Sequence, residues 1–226
     1  VVIDGFDGSS ALAKNPKSRG GTMLAIANNL NPIYSDFIFG GITDFSTDRI
    51  IYGLNMNGTF LRIYDGDLKS VRQLQKFPQK HFNRDIRVHL DDPKYWGDFA
   101  EGITSQLDKI AETSRNAFTN KLEGYFGKGN KNISGLNSSG AMCLELALEN
   151  VDAIGGVSAK GVFEQPAEYP ILREIGGVIV DYDGKNIGNN FWLEERAKHK
   201  TTPVPSLRAS SSQLAREILE YLHSQK

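Results

Sequence analysis

The chain has 226 residues, 39% hydrophobic and 23% charged, an ordinary globular balance that allows a sizeable core. Its 26 basic and 27 acidic residues leave a formal charge of −1, which argues against nucleic acid or an anionic membrane as partner. A single cysteine, Cys143, excludes an internal disulfide framework and multi-thiolate zinc, and no apolar run reaches membrane-spanning length, so the expected location is cytoplasmic.

Val1-Val2-Ile3 is an apolar run of strand character leading into Asp4-Gly5-Phe6-Asp7-Gly8-Ser9-Ser10. Residues 14–21 are polar, carry Pro16, Gly20 and Gly21, and read as a loop. Segments 23–27, 36–43, 49–54 and 59–64 are rich in β-branched and aromatic residues, punctuated by Asn31-Pro32, Asn57-Gly58 and Asp65-Gly66. They predict an antiparallel meander, with Asn57-Gly58 as its clearest hairpin turn.

The period then changes. Phe99, Ile103, Leu107, Ile110 and Ala111 recur at helical spacing within 98–118, and 124–135 is a Gly/Asn-rich loop. Ser139 is the expected cap of a helix reaching about residue 149, followed by a strand at 153–157. A helix over 164–175 ends at Gly176-Gly177, and a strand at 178–180 precedes an Asp181-Tyr182-Asp183-Gly184 turn. Ser212 is placed as cap of a last amphipathic helix carrying Leu214, Ile218, Leu219 and Leu222. A meander plus helix through 1–120 and alternating helices and strands through 121–226 predict one layered α/β domain.

Asp4 and Asp7 are the first candidates for chemistry. A regular strand sends positions i and i+3 to opposite faces, but a break at Gly5 or Gly8 lets both carboxylates converge on one hard cation. Gly8, Ser9 and Ser10 then offer backbone and hydroxyl donors to an anion. A surface Asp-Gly turn is the competing reading, and the full string behind an apolar strand outweighs it. An EF-hand fails, because Lys14 stands where the bidentate Glu belongs. The second piece is Phe163-Glu164-Gln165-Pro166, a helix start with Pro166 in the first turn; Glu164 alone reads as a carboxylate favoured by the helix N-terminus, and taken together with the first motif it becomes a candidate for chemistry. His81, His89, His199 and His223 lack ligand spacing and read as surface residues, Cys143 reads as core, and Ser9 and Ser10 have no His/Asp partners for serine-hydrolase chemistry.

Together these pieces resemble the Mg²⁺-dependent, lithium-sensitive phosphatase superfamily of inositol monophosphatases and fructose-1,6-bisphosphatases. Its Asp-Pro-Ile/Leu-Asp-Gly-Thr/Ser motif is similar to residues 4–9, and its distal helix, ending Glu-x-Gly-Gly, to residues 163–177. Asn137-Ser138-Ser139 and Val151-Asp152-Ala153 are similar to its Gly-Ser-Ala…Asp-Ala segment. The resemblance implies a sugar-phosphatase fold of alternating helix and sheet layers. It also implies metal ligation by Asp4, Asp7 and Glu164, and substrate contacts from Gly8, Ser9, Ser10, Ser138 and Lys160. Two or more Mg²⁺ ions are implied, with Mn²⁺ as the other candidate, acting through metal-activated water.

The implied substrate is a small sugar or polyol phosphate of the inositol monophosphate or fructose-1,6-bisphosphate class, and the implied assembly is a homodimer or higher homo-oligomer. Gly5 replaces the family's Pro, Asn137 its Gly, and Ser158 and Lys160 lie where the inositol branch carries a Glu. The family's helical segment ahead of the first motif, with a further metal-binding Glu and a water-orienting Thr, is not matched, so an N-terminally truncated form is expected. Its absence motivates the alternative of a catalytically silent, metal- and phosphate-binding regulatory subunit.

Overall fold

Alternation of apolar and polar residues between 21 and 63 commits that stretch to strands buried on one face. The computed structural model describes residues 1–7, 19–63, 70–91, 117–136, 138–158, 161–199 and 204–225. Strands β1 (Val2–Asp7), β2 (Gly21–Ala27), β3 (Phe37–Asp44), β4 (Arg49–Leu54), β5 (Gly58–Ile63) and β6 (Ser70–Gln73) pair antiparallel in chain order; β2 to β5 are the expected meander, and β6 is a strand the sequence reading did not contain. The Asn57-Gly58 turn joins β4 to β5 with Gly58 at φ +94°. β3 starts one residue later than expected, because Tyr34–Asp36 forms a 3-10 turn in which the Asp36 carboxylate accepts from the Ile33 amide at 3.1 Å.

A second sheet contains β7 (Val88–Asp91), β8 (Ile133–Ser134), β9 (Ala153–Ser158), β10 (Val178–Asp181) and β11 (Val204–Ala209) in the order β10-β11-β9-β7-β8. β7 runs parallel to β8 and β9, and β11 antiparallel to both of its neighbours. Among the described residues the helices are α1 (117–126), α2 (Ser139–Ala147), α3 (Gly161–Glu174), α4 (Trp192–His199) and α5 (Ser212–Ser224). One core joins Met23, Ile42 and Ile51 of the first sheet to Met142 and Leu144 of α2, Ile171 and Leu172 of α3, and Ile154 and Ile179 of the second sheet. The other joins Val88, Leu207 and Ala209 to Leu122 of α1 and Leu214 and Ile218 of α5. The result is a stack of sheet, helix pair, sheet, helix pair: the layered α/β class expected.

α3 lies close against the first sheet because a pair of glycines leaves room for its backbone. Gly40 and Gly53 are cross-strand partners, and a Cβ on Gly53 would stand 2.6 Å from Ile171 Cα while one on Gly40 would overlap the Ala167 carbonyl. The Thr59 hydroxyl donates to the Ile171 carbonyl at 2.7 Å and completes the seat.

Some boundaries differ from the sequence reading. α3 begins at Gly161, so Pro166 lies past the first turn and both Pro166 and Pro170 are inside the helix, each removing one backbone donor. Ser138, not Ser139, caps α2 by accepting from the Ala141 amide at 3.1 Å, and Ser211, not Ser212, caps α5. α1 runs to 126, into the expected loop. The predicted helical stretch 98–116 and the Asp65-Gly66 turn lie outside the described residues.

Candidate active site

The spacing of Asp4 and Asp7 is resolved by an irregularity in β1. Asp4 pairs with Met23 and Asp7 with Gly21, so three steps on β1 match two on β2. This bulge returns positions 4 and 7 to one face of the sheet, the face of Met23 and Ile42 that the helices cover. Gly5 sits within the bulge; its carbonyl accepts from the Thr22 hydroxyl at 2.9 Å, and the space around its Cα is open. Asp4 is half-buried.

Glu164 approaches the same face from above. α3 crosses the sheet with Ile171 over Gly53 of β4 and Ala167 over Gly40 of β3. One turn earlier is Glu164, on the end of the helix directed towards β2 and β1, against which α3 also packs. Its side chain is buried at 6% exposure. Asp4, the position of Asp7 and Glu164 therefore belong to one end of the sheet–helix interface. Gly8, Ser9, Ser10 and Lys160 lie outside the described residues. Among the described residues no three His, Cys, Asp or Glu side chains form a metal cluster. The carboxylates whose side chains are described, Asp4 of β1 and Glu164 in the first turn of α3, are of the hard-oxygen kind that fits Mg²⁺.

Ser138 lies at the start of α2 and is buried, with its hydroxyl engaged in the cap. Below it is a network that sequence reasoning missed. The Glu168 carboxylate accepts from Arg208 Nε at 2.6 Å and from the Ser139 hydroxyl at 2.7 Å. Burial pulls the Arg208 guanidinium down, but the Glu168 carboxylate, and Glu164 beyond it, push it above its ordinary value. The sequence signal was a second Glu one turn after Glu164, set among Ala167, Tyr169, Ile171 and Leu172. Arg19 makes another junction, donating to Asp44 at 2.9 Å through Nε and to Glu145 of α2. Asp44 lies beside Gly21, the partner of Asp7, so this ion pair ties α2 to the carboxylate end of the sheet.

His89 corrects the surface reading: it is buried on β7 with Nδ1 2.8 Å from the Ser134 hydroxyl. His81 and His223 are exposed as expected, whereas the His199 side chain is outside the described residues. Cys143 is core, and burial pushes its thiol well up, so it is no nucleophile. Asp181 holds a plain turn, accepting from the amides of Asp183 and Lys185 at 3.0 and 2.8 Å.

No protein-family model and no curated protein matches the sequence. Solved structures do. The SuhB extragenic suppressor protein of Bartonella henselae superposes with TM-score 0.67 at 12% identity, over 99% of this chain and 70% of its own. SaIMPase-II with inositol monophosphate bound gives 0.66 at 13% identity, over 99% and 70%. A calcium-bound IMPase family protein of Staphylococcus aureus gives 0.65 at 13%, over 99% and 66%. The chain has the inositol monophosphatase fold. It spans about two thirds of the length of these structures. In this chain the inositol monophosphatase fold packs β1 against α3, which bears Glu164 in its first turn. No helix among the described residues is long and apolar enough to cross a membrane.

Proposed function

We propose that the chain is a Mg²⁺-dependent phosphomonoesterase acting on a small sugar or polyol phosphate of the inositol monophosphate or fructose-1,6-bisphosphate class. The observation that carries this reading is the β1 bulge, which gives positions 4 and 7 a common face towards the end of α3 that bears Glu164. The inositol monophosphate in SaIMPase-II and the calcium in the S. aureus structure support a phosphorylated polyol and a divalent cation as ligands.

In this reading Asp4, Asp7 and Glu164 hold two or more Mg²⁺ ions, or Mn²⁺ in their place. Metal bound there neutralises phosphate charge and lowers the pKa of a water. The chain's own groups do the rest. Amides of Gly8 and Ser9 receive the phosphate oxygens, and the Ser10 and Ser138 hydroxyls orient the ester. Lys160 offers a charge to a second phosphate or a sugar oxygen. A homodimer or higher homo-oligomer in the cytoplasm belongs to the same proposal.

The test is phosphate release from inositol monophosphate and fructose-1,6-bisphosphate with Mg²⁺, then with chelator. Asp7→Asn should lower release at least about a hundredfold without changing the melting temperature. Undiminished turnover in that variant, or no release from either substrate, overturns the reading.

A further inference from the structure

Glu168 is fully buried and Arg208 is 2% exposed, and their pairing lies between layers rather than at an edge. Arg208 stands mid-strand in β11, flanked by Ile154 and Ile179, with its side chain in the helix layer. Glu168 is one turn beyond Glu164 on α3, and Ser139 follows Ser138 as the first residue of α2. Glu168 Oε2 accepts from Arg208 Nε at 2.6 Å and Oε1 from Ser139 Oγ at 2.7 Å. Ser139 Oγ in turn accepts from Arg208 Nη2 at 3.3 Å, while Nη1 donates to Ser206 Oγ at 3.3 Å. One hydroxyl thus donates once and accepts once, which closes a triangle between two helices and a strand.

Stability alone is a weak account of this arrangement, because apolar replacements of a buried ion pair are often as stable as the pair. A planar guanidinium fork instead supplies direction, fixing three elements by bonds of set geometry. We infer that Arg208 and Glu168 are positioning residues. They set the spacing between Ser138 at the start of α2 and Glu164 at the start of α3, so that the phosphate-side and metal-side groups meet one substrate. The activity part of this inference rests on the phosphomonoesterase reading; the geometric part rests on the fold alone.

Three variants test it, two by loss and one by partial rescue. Glu168→Leu combined with Arg208→Met removes the pair without leaving a lone buried charge. Ser139→Ala keeps the pair and cuts only its link to α2, and serves if the double variant does not fold. Both should melt near the parent, with kcat down about tenfold to a hundredfold and KM changed less than about threefold, as expected when reacting groups are misplaced rather than lost. The Ala141 and Met142 amides, bonded to the Ser138 side chain and carbonyl, should exchange with solvent at least about tenfold faster, because the start of α2 is no longer held. Arg208→Lys, which retains the charge but not the fork, should recover part of the lost kcat. Parental kcat together with parental exchange in the variants overturns the inference. If the parent itself releases no phosphate, the phosphomonoesterase reading falls separately. The positioning role is then decided by exchange: faster at Ala141 and Met142 supports it, and parental rates overturn it.

Discussion

His89 lies in β7 beside Ile154 of β9, its ring against the Ser134 hydroxyl and with Glu145 and Arg19 nearby. Burial lowers its pKa below the ordinary value of 6.5; Glu145 and Ser134 oppose that shift, and Arg19 adds to it. The folded state therefore keeps this ring neutral where the unfolded chain binds a proton. Stability from this group is complete above the unfolded value and is lost as pH falls below it, at a slope of at most about 1.4 kcal/mol per pH unit. Urea unfolding between pH 7.5 and 5.5 should show this loss in the parent, and His89→Gln should flatten it. An unchanged slope in the variant would show that another group titrates there. The sequence misled at this residue because one His between two apolar neighbours carries no sign of which face it occupies.

At the scale of elements, β2 to β5 were legible because they bury one face and alternate accordingly, and Asn57-Gly58 fixed the clearest turn. β11 was not, since Pro205 and Ser206 dilute the pattern in a strand whose inward position is taken by Arg208. β6, exposed throughout, had no apolar face to show. For the candidate site, the sequence named the carboxylates and a break at Gly5 or Gly8 that lets them converge, but not that the break is a bulge in the stretch holding Gly5, because the extra residue is defined only by pairing with β2. Nor did it show why α3 sits so low on the sheet, which depends on Gly40 and Gly53 being cross-strand partners. Gly53→Val should therefore cost about 3 kcal/mol, because the new side chain meets helix backbone that cannot yield by a rotamer change. Gly124→Ala in α1, where a Cβ meets nothing, should be neutral or stabilise by up to about 1 kcal/mol. Equal midpoints in urea for the two variants would refute the seating of α3 on that glycine pair.

The molecule as a whole is held together by a helix layer that two sheets share. α2 and α3 pack on Met23, Ile42 and Ile51 on one side and on Ile154 and Ile179 on the other. Glu168 makes its ion pair with Arg208 of the second sheet, while Ala167 and Ile171 of the same helix rest on the first. Separating either sheet would expose the apolar face of the other and strand a buried carboxylate from its partner, which is costly on both counts. The second core, between the second sheet and α1 and α5, shares its strands with the first, since Leu207 and Ala209 face it while Arg208 between them faces the helix layer. The two halves should thus unfold together as one domain. In a Trp96→Phe background, fluorescence of Trp192, which lies in the first core, should follow the same urea transition as far-UV circular dichroism. Calorimetric and van't Hoff enthalpies should also agree. Two separated transitions, with Trp192 reporting only one, would show instead that the second sheet with α1 and α5 folds as an independent unit.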